Sequence, residues 1–205
     1  NASAVGDSQE FISLRDYRSG DQLKSIHWRS FARHNKPIVK EYHDEYFIRH
    51  GLILDTYLDT APRQLFEEAV SIAASFMSTQ QEQDALLDLL FIGNRAYQLT
   101  SGRGLGGATH ALETLACIEA SDKPNLTALS SLLQQYLGNC SALIFILLAF
   151  DEERKQLLQS IGKHKLPMFI MVITEGETRS IKQDELDIHY INFEQVQSGL
   201  DKLSA

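Results

Sequence analysis

At 205 residues with 43% apolar content, the chain is long enough to form one compact domain with a sizeable hydrophobic core. Its four prolines and twelve glycines, without any low-complexity tract, exclude a disordered chain. The formal net charge of −8 argues against a nucleic-acid binder, because an acidic body repels phosphate. The longest apolar run, residues 142–150, is too short to cross a bilayer.

Basic side chains are concentrated near the amino terminus of this acidic chain. Seven lysines and arginines lie between Arg15 and Lys40 against two aspartates, whereas the rest of the chain holds 12 basic and 25 acidic residues. This asymmetry predicts a positive face, on which Arg15, Arg29 and Arg33 are candidates for binding a partner. The simpler interpretation is that arginines of a loop-rich extension form weak surface ion pairs. We expect Trp28, the only tryptophan, to anchor the extension to the core.

Beyond this segment, predicted strands alternate with predicted helices. In chain order we expect strands at 37–42 and 51–55, a helix at 62–77, strands at 85–93 and 96–100, a glycine-rich loop at 102–107, helices at 109–120 and 126–137, a strand at 142–150, a helix at 151–162, strands at 168–173 and 189–192, and a helix at 193–203. The central strands are apolar throughout. This pattern predicts a doubly wound α/β fold, a mostly parallel sheet with helices on both faces.

Several motifs in residues 10–60 resemble the signature of the bacterial family called domain of unknown function 58. They are Leu14-Arg15-Asp16-Tyr17, Gly20-Asp21, Ile26-His27-Trp28, Ala32-Arg33 and Val39-Lys40-Glu41. In that family the signature leads into a von Willebrand factor A-like domain whose first strand ends in Asp, and Leu52-Ile53-Leu54-Asp55 matches. The resemblance implies a basic extension, residues 1–48, packed on a von Willebrand factor A-like domain of residues 49–205.

The same resemblance has implications for the setting of the chain. It implies a MoxR-type AAA+ ATPase as the partner. It also implies a position on the cytoplasmic face of the bacterial inner membrane, with membrane attachment only through segments absent from this sequence. Cys117 and Cys140 lie in apolar contexts, and we expect two buried thiols in a reducing compartment.

Two aspartates are predicted at the ends of neighbouring parallel strands. Asp55 ends the strand at 51–55, and Asp151 follows the strand at 142–150. Open α/β sheets bind ligands beyond the carboxyl ends of their strands, and hard cations such as Mg²⁺ take oxygen ligands. The simpler interpretation is that both aspartates cap the helices that follow.

The von Willebrand factor A fold builds a metal-ion-dependent adhesion site at this position, from Asp-x-Ser-x-Ser, a later Thr and a later Asp. This chain has Tyr57 and Asp59 where the serines belong. The resemblance therefore implies a degenerate site for Mg²⁺ or Mn²⁺. Its candidate ligands are Asp55, Asp59, Thr109 and Asp151. Without a metal, Tyr57 would serve as an aromatic anchor for a partner.

No sequence motif identifies a catalytic residue. The loop at 102–107 lacks the Gly-Lys-Ser/Thr ending of a phosphate loop, and no Gly-x-Ser-x-Gly elbow is present. We therefore predict a non-catalytic adaptor domain that docks partners at the carboxyl-end rim of the sheet. Two alternatives stay open. One is a metal-dependent hydrolase that uses His27, His43 and His50 with Asp55, and the other is an anionic-surface binder through residues 15–40.

Overall fold

A computed structural model describes residues 3–21, 23–58, 61–79, 85–93, 95–102, 107–123, 125–183 and 186–196. Its strands are β1 (Ser3–Asp16), β2 (Ile38–Leu54), β3 (Ala85–Ile92), β4 (Ala96–Ser101), β5 (Ala142–Leu147), β6 (Met168–Thr174), β7 (Arg179–Gln183) and β8 (Leu186–Asn192). Its helices are α1 (Trp28–His34), α2 (Arg63–Thr79), α3 (Gly107–Ala116), α4 (Leu126–Tyr136) and α5 (Glu152–Gly162). The chain divides into two compact units, Ser3–Phe47 and the part from Ile48 onward.

The smaller unit, Ser3–Phe47, is built on a long antiparallel pair of strands. β1 pairs with the first part of β2, with Asp16 opposite Ile38. The predicted loop-rich extension is therefore wrong, since β1 and α1 are regular elements that the sequence analysis missed. Ile26 and Val39 are buried and form an isolated bridge beside this pair.

The surface ion pairs predicted for the arginines and the burial predicted for Trp28 can both be checked in the smaller unit. Arg15 donates two hydrogen bonds to the Asp21 carboxylate, at 2.7 and 2.8 Å, and these lower the pKa of Asp21 to about 2. The prediction that Trp28 is a buried anchor is wrong, because Trp28 is 62% exposed. Its ring contacts Phe31 edge-on, with the centroids 6.0 Å apart. Ile26, two residues earlier, is the buried side chain here instead.

The larger unit is a mostly parallel sheet. Its strand order is β4-β3-β2-β5-β6-β8-β7, and β2 lies between β3 and β5, parallel to both. Further along, β5 with β6 and β6 with β8 are also parallel pairs, whereas β4 and β7 pair antiparallel at the two edges. The strands predicted at 37–42 and 51–55 are two parts of one strand, β2. β7 was not predicted.

Helices cover both faces of this sheet. Leu52 and Leu54 pack with side chains of α2 and α3 in one hydrophobic cluster. Ile53 lies between them in sequence and packs in a second cluster with α4 and α5. Neighbouring residues of a strand point to opposite faces, so a strand that is apolar throughout serves two cores at once. The predicted doubly wound α/β fold is confirmed.

Some element boundaries differ from those predicted. The apolar run at 142–150 is a strand only to Leu147, because the backbone turns there and the Leu148 amide donates to the Asp55 carboxylate. The helix predicted at 193–203 begins as a 3-10 turn, Phe193–Gln195, and residues 197–203 lie outside the described part. No helix in the described ranges combines the length and apolarity that a bilayer crossing needs. Cys140 is buried as predicted, but Cys117 is exposed.

Gly51 is a position on β2 where a side chain does not fit. A Cβ atom there would lie 2.7 Å from Cε1 of Tyr136 and 2.9 Å from Cδ2 of Leu143. We expect Gly51→Ala to lower the free energy of unfolding by about 1–2 kcal/mol, because the Tyr136 ring must move out of a packed core. Urea denaturation measures this change. Gly138→Ala is the matched control, since a Cβ at Gly138 meets nothing within 4 Å. Equal urea midpoints for the two variants would contradict this account of Gly51.

Candidate functional site

The candidate site lies where β2 and β5 end side by side. Asp55 directly follows β2, and its amide donates to the carbonyl of Ile146 on β5 at 2.9 Å. Asp151 comes after β5 and is the N-cap of α5. The Asp55 side chain is buried, whereas the Asp151 side chain is 45% exposed. The two carboxylates are connected through a third side chain, Arg154.

Arg154 lies in the first turn of α5, and only 1% of it is exposed. Its Nε donates to Oδ2 of Asp55 at 2.7 Å, and its Nη1 donates to Oδ2 of Asp151. Its Nη2 donates to the backbone carbonyl of Tyr57 at 2.7 Å. The guanidinium carbon also lies 5.3 Å from the centroid of the Tyr57 ring, within the range of a cation–π contact. All three guanidinium nitrogens are therefore bonded to this end of the sheet.

The Asp55 carboxylate accepts hydrogen bonds from three N–H donors. Oδ2 accepts from the Leu148 amide at 3.2 Å in addition to Arg154, and Oδ1 accepts from the Tyr57 amide at 3.0 Å. Burial raises the pKa of Asp55, and the charge and hydrogen bonds of Arg154 oppose that rise. For Arg154, burial acts to lower the pKa, but Asp55 and Asp151 outweigh it, and the net change is upward. The guanidinium is thus a permanent positive charge, and it is the principal group that favours an ionised Asp55.

Backbone and side-chain hydrogen bonds fix the loop that follows Asp55. Thr56 donates through its hydroxyl to the carbonyl of Ile92 at the end of β3, and Asn125 Nδ2 donates to the same carbonyl at 3.1 Å. The Ser121 amide donates to the Thr56 carbonyl at 2.7 Å, and the Leu58 amide donates to the Ser121 carbonyl at 3.0 Å. The loop therefore holds Tyr57 in a fixed place above Arg154.

We use the word rim for residues 55–58, 92–93 and 148–154, which follow the carboxyl ends of β2, β3 and β5. The rim holds two half-buried aromatic rings, Tyr57 and Phe150, and several carboxylates. Tyr57 is half-buried, whereas Asp151, Glu152 and Glu153 are exposed. Asp151 also accepts a hydrogen bond from the Arg154 amide at 2.8 Å, so the predicted helix cap is confirmed. The accessible surface of the rim is therefore acidic beside an aromatic side chain.

None of the other predicted site residues is among the rim residues that the structure describes. Asp59 is outside the described residues. Thr109 is exposed on α3, and no hydrogen bond in the described part of the chain joins it to Asp55 or Asp151. In the smaller unit, Arg15 is engaged by Asp21, whereas Arg29 and Arg33 are exposed on α1.

Of the three histidines in the hydrolase alternative, His50 lies away from Asp55 in the described structure. His50 lies on β2, five residues before Asp55, a separation of about 16 Å along an extended strand. His27 precedes α1, and its Nδ1 is 2.6 Å from the Ser30 hydroxyl. The His43 side chain is outside the described part.

The donor set at the rim does not fit a divalent cation. Both Asp55 oxygens accept N–H donors, and a guanidinium occupies the space between the two carboxylates that would have to converge on a metal ion. A second cation placed there would be repelled. The described residues contain no group of three His, Cys, Asp or Glu side chains that could hold a metal.

Arg154 is the central residue of the site, although it was not among the residues predicted from the sequence. Its signal is present in the sequence, since an arginine three residues after a helix-capping aspartate can reach back to it on the same helix face. The second partner, Asp55, is 99 residues away in sequence, and only the pairing of β2 with β5 brings it near.

Comparisons with known proteins agree with the fold. A family model described as "Protein of unknown function DUF58" matches residues 13–178. A von Willebrand factor type A protein from Catenulispora acidiphila superposes with a TM-score of 0.54 and 10% identity, over 82% of this chain and 44% of that one. Manganese-loaded TRAP protein from Plasmodium vivax superposes with a TM-score of 0.52 and 10% identity, over 78% and 74%. No curated protein sequence matches. At these identities the likenesses show the fold alone, which is von Willebrand factor A-like.

Proposed function

Because the chain belongs to the family described as protein of unknown function DUF58 and has the von Willebrand factor A-like fold, we propose that it is a non-catalytic adaptor domain that docks a protein partner at the rim without a bridging metal ion. The observation that carries this proposal is the buried ion pair between Asp55 and Arg154. It supplies a positive charge from the chain itself at the position where a metal-dependent site would need one.

The pair also determines what the rim can offer to a partner. In a metal-bridged contact, a carboxylate of the partner completes the coordination of the ion. Here the guanidinium nitrogens are bonded to Asp55, Asp151 and the Tyr57 carbonyl, and Arg154 is buried. A partner would therefore contact the exposed groups around Arg154, and not Arg154 itself.

Those groups favour a partner surface that carries lysine or arginine. Tyr57 provides an aromatic side chain that a fixed loop holds in one position, which suits a docking anchor. The carboxylates of Asp151, Glu152 and Glu153 lie along the start of α5 and attract cations over a distance. We expect the association rate to fall as salt is added, because these charges are exposed.

The family resemblance supports a MoxR-type AAA+ ATPase as this partner, met at the cytoplasmic face of the inner membrane by the full-length protein. The rim chemistry supports a role in binding rather than in catalysis. Among the described rim residues, the buried acid accepts three N–H hydrogen bonds and is ion-paired with Arg154, which disfavours its use as a general base.

The proposal is tested by measuring binding to a purified MoxR-type ATPase of the same organism. We expect Tyr57→Ala to weaken binding about 30-fold, the effect of removing a central aromatic anchor. Tyr17→Ala is the control, because Tyr17 is also half-buried but belongs to the smaller unit and not to the rim. Equal losses for both variants, or wild-type binding that requires added Mg²⁺ in the absence of nucleotide, would contradict rim docking of this kind.

A further inference from the structure

A second surface, which combines exposed apolar and cationic side chains, lies in the smaller unit on the segment of residues 18–36. Among the described residues, this segment carries the two most exposed of the large apolar side chains, Leu23 at 67% and Trp28 at 62%. Leu23 begins a 3-10 turn, and Trp28 begins α1. Large apolar groups that stay in water are costly, and a cluster of them marks a contact surface.

The geometry of α1 places its exposed residues on one side. At 100° per residue, Trp28, Arg29, Ala32 and Arg33 fall within an arc of about 140°. All four are exposed, whereas Ser30 and Phe31, on the rest of the helix circumference, are partly buried. The helix therefore presents an aromatic ring and two guanidinium groups on one side, within that arc.

Cations surround these apolar groups on the same segment. Arg18, Lys24, Arg29, Arg33 and Lys36 are all exposed. Within the described ranges none of the five has an ion-pair partner, whereas Arg15, nearby, is neutralised by Asp21. The segment thus carries unpaired positive charge on a chain whose formal net charge is −8.

We propose that the exposed side chains of residues 18–36 bind the surface of an anionic lipid bilayer. A tryptophan ring with a polar N–H is suited to the boundary between headgroups and acyl chains, and Leu23 adds aliphatic area for the same layer. The five cations match lipid phosphates, and each adds to the attraction toward an anionic surface. A nucleic acid would pair its phosphates with the cations, but it would leave the exposed leucine without an apolar contact. This surface lies outside the rim, so it does not depend on the proposed docking function.

The test uses Trp28 as a built-in probe. Because the chain has a single tryptophan, its fluorescence reports on this surface alone. We expect vesicles of equal parts phosphatidylglycerol and phosphatidylcholine to shift the emission to shorter wavelength and to protect Trp28 from a water-soluble quencher. Vesicles of phosphatidylcholine alone should do neither, and high salt should reverse the shift.

Charge reversal separates lipid binding from a general effect of net charge. We expect Arg29→Glu/Arg33→Glu to weaken vesicle binding about 30-fold or more, from the loss of two attractions of ordinary size together with new repulsion. Lys163→Glu/Lys165→Glu changes the total charge equally at two exposed lysines after α5 and should leave binding close to the wild-type value.

Three results would overturn the proposal. The first is no binding of the wild type to anionic vesicles at low salt. The second is equal weakening by both double variants. The third is an emission shift that grows with protein concentration in the absence of vesicles, which would assign Trp28 to contact with a second copy of the chain.

Discussion

Replacing Arg154 with methionine is expected to lower the free energy of unfolding by about 3–5 kcal/mol, because it leaves the buried Asp55 carboxylate without its counter-charge. Methionine keeps most of the volume of the arginine stem but supplies none of its three N–H contacts. Burial would then raise the pKa of Asp55 against only the Tyr57 and Leu148 amides, and the carboxyl would take up a proton to fold. Chemical denaturation at neutral pH measures the loss.

Two comparison variants separate the ion pair from other effects of the substitution. Arg63→Met removes an exposed arginine whose pair with Glu67 is open to solvent, and it should cost less than about 0.5 kcal/mol. Asp55→Asn/Arg154→Met removes both charges and keeps one oxygen acceptor, which can serve either the Leu148 or the Tyr57 amide but not both, so it should recover only part of the stability lost in Arg154→Met. An Arg154→Met variant as stable as Arg63→Met would contradict the described pair.

The second large effect is expected at a buried polar cluster on the opposite half of the strands. Asp88 on β3 is fully buried, accepts a hydrogen bond from the Thr100 hydroxyl, and lies 3.0 Å from Nε of Arg49 on β2. We expect Arg49→Met to lower the free energy of unfolding by about 2–3 kcal/mol, because Asp88 loses the positive charge beside it. The same denaturation experiment measures it.

The effect at Arg49 should be smaller than the effect at Arg154, for two reasons that the structure gives. The Arg49 side chain is 12% exposed, so water can replace part of the lost contact. Its Nε lies within ion-pair distance of Asp88 but not in hydrogen-bonding geometry. The reverse order of the two losses would show that Arg49, rather than Arg154, is the principal buried cation of the domain.

The fold could be predicted from the sequence because its determinants are local and repeated. Residues 142–147 are apolar at every position, which indicates a strand buried on both faces, and the spacing of Leu129, Leu133 and Tyr136 indicates a helix on one of those faces. Asp151 caps α5 through a contact that spans three residues. Short-range patterns of this kind are visible in a single sequence.

The site could be predicted only in part, because it depends on contacts between distant residues. The sequence pointed to Asp55 and Asp151, but what they bind depends on Arg154, which looks like an ordinary charged residue of a surface helix. Its burial follows from the way α5 starts against the end of β2. The prediction for Trp28 is wrong, and its case is the opposite of that of Arg154. A single tryptophan predicts a buried side chain, but α1 exposes it.

The most direct test of the account is a calorimetric titration of the wild-type protein with Mg²⁺ and with Mn²⁺, repeated on Asp55→Asn. The account predicts no heat beyond dilution for either ion in either protein, because Arg154 already supplies the positive charge between Asp55 and Asp151. Stoichiometric binding to the wild type that Asp55→Asn abolishes would contradict it, and would show that a metal ion displaces the guanidinium at the rim.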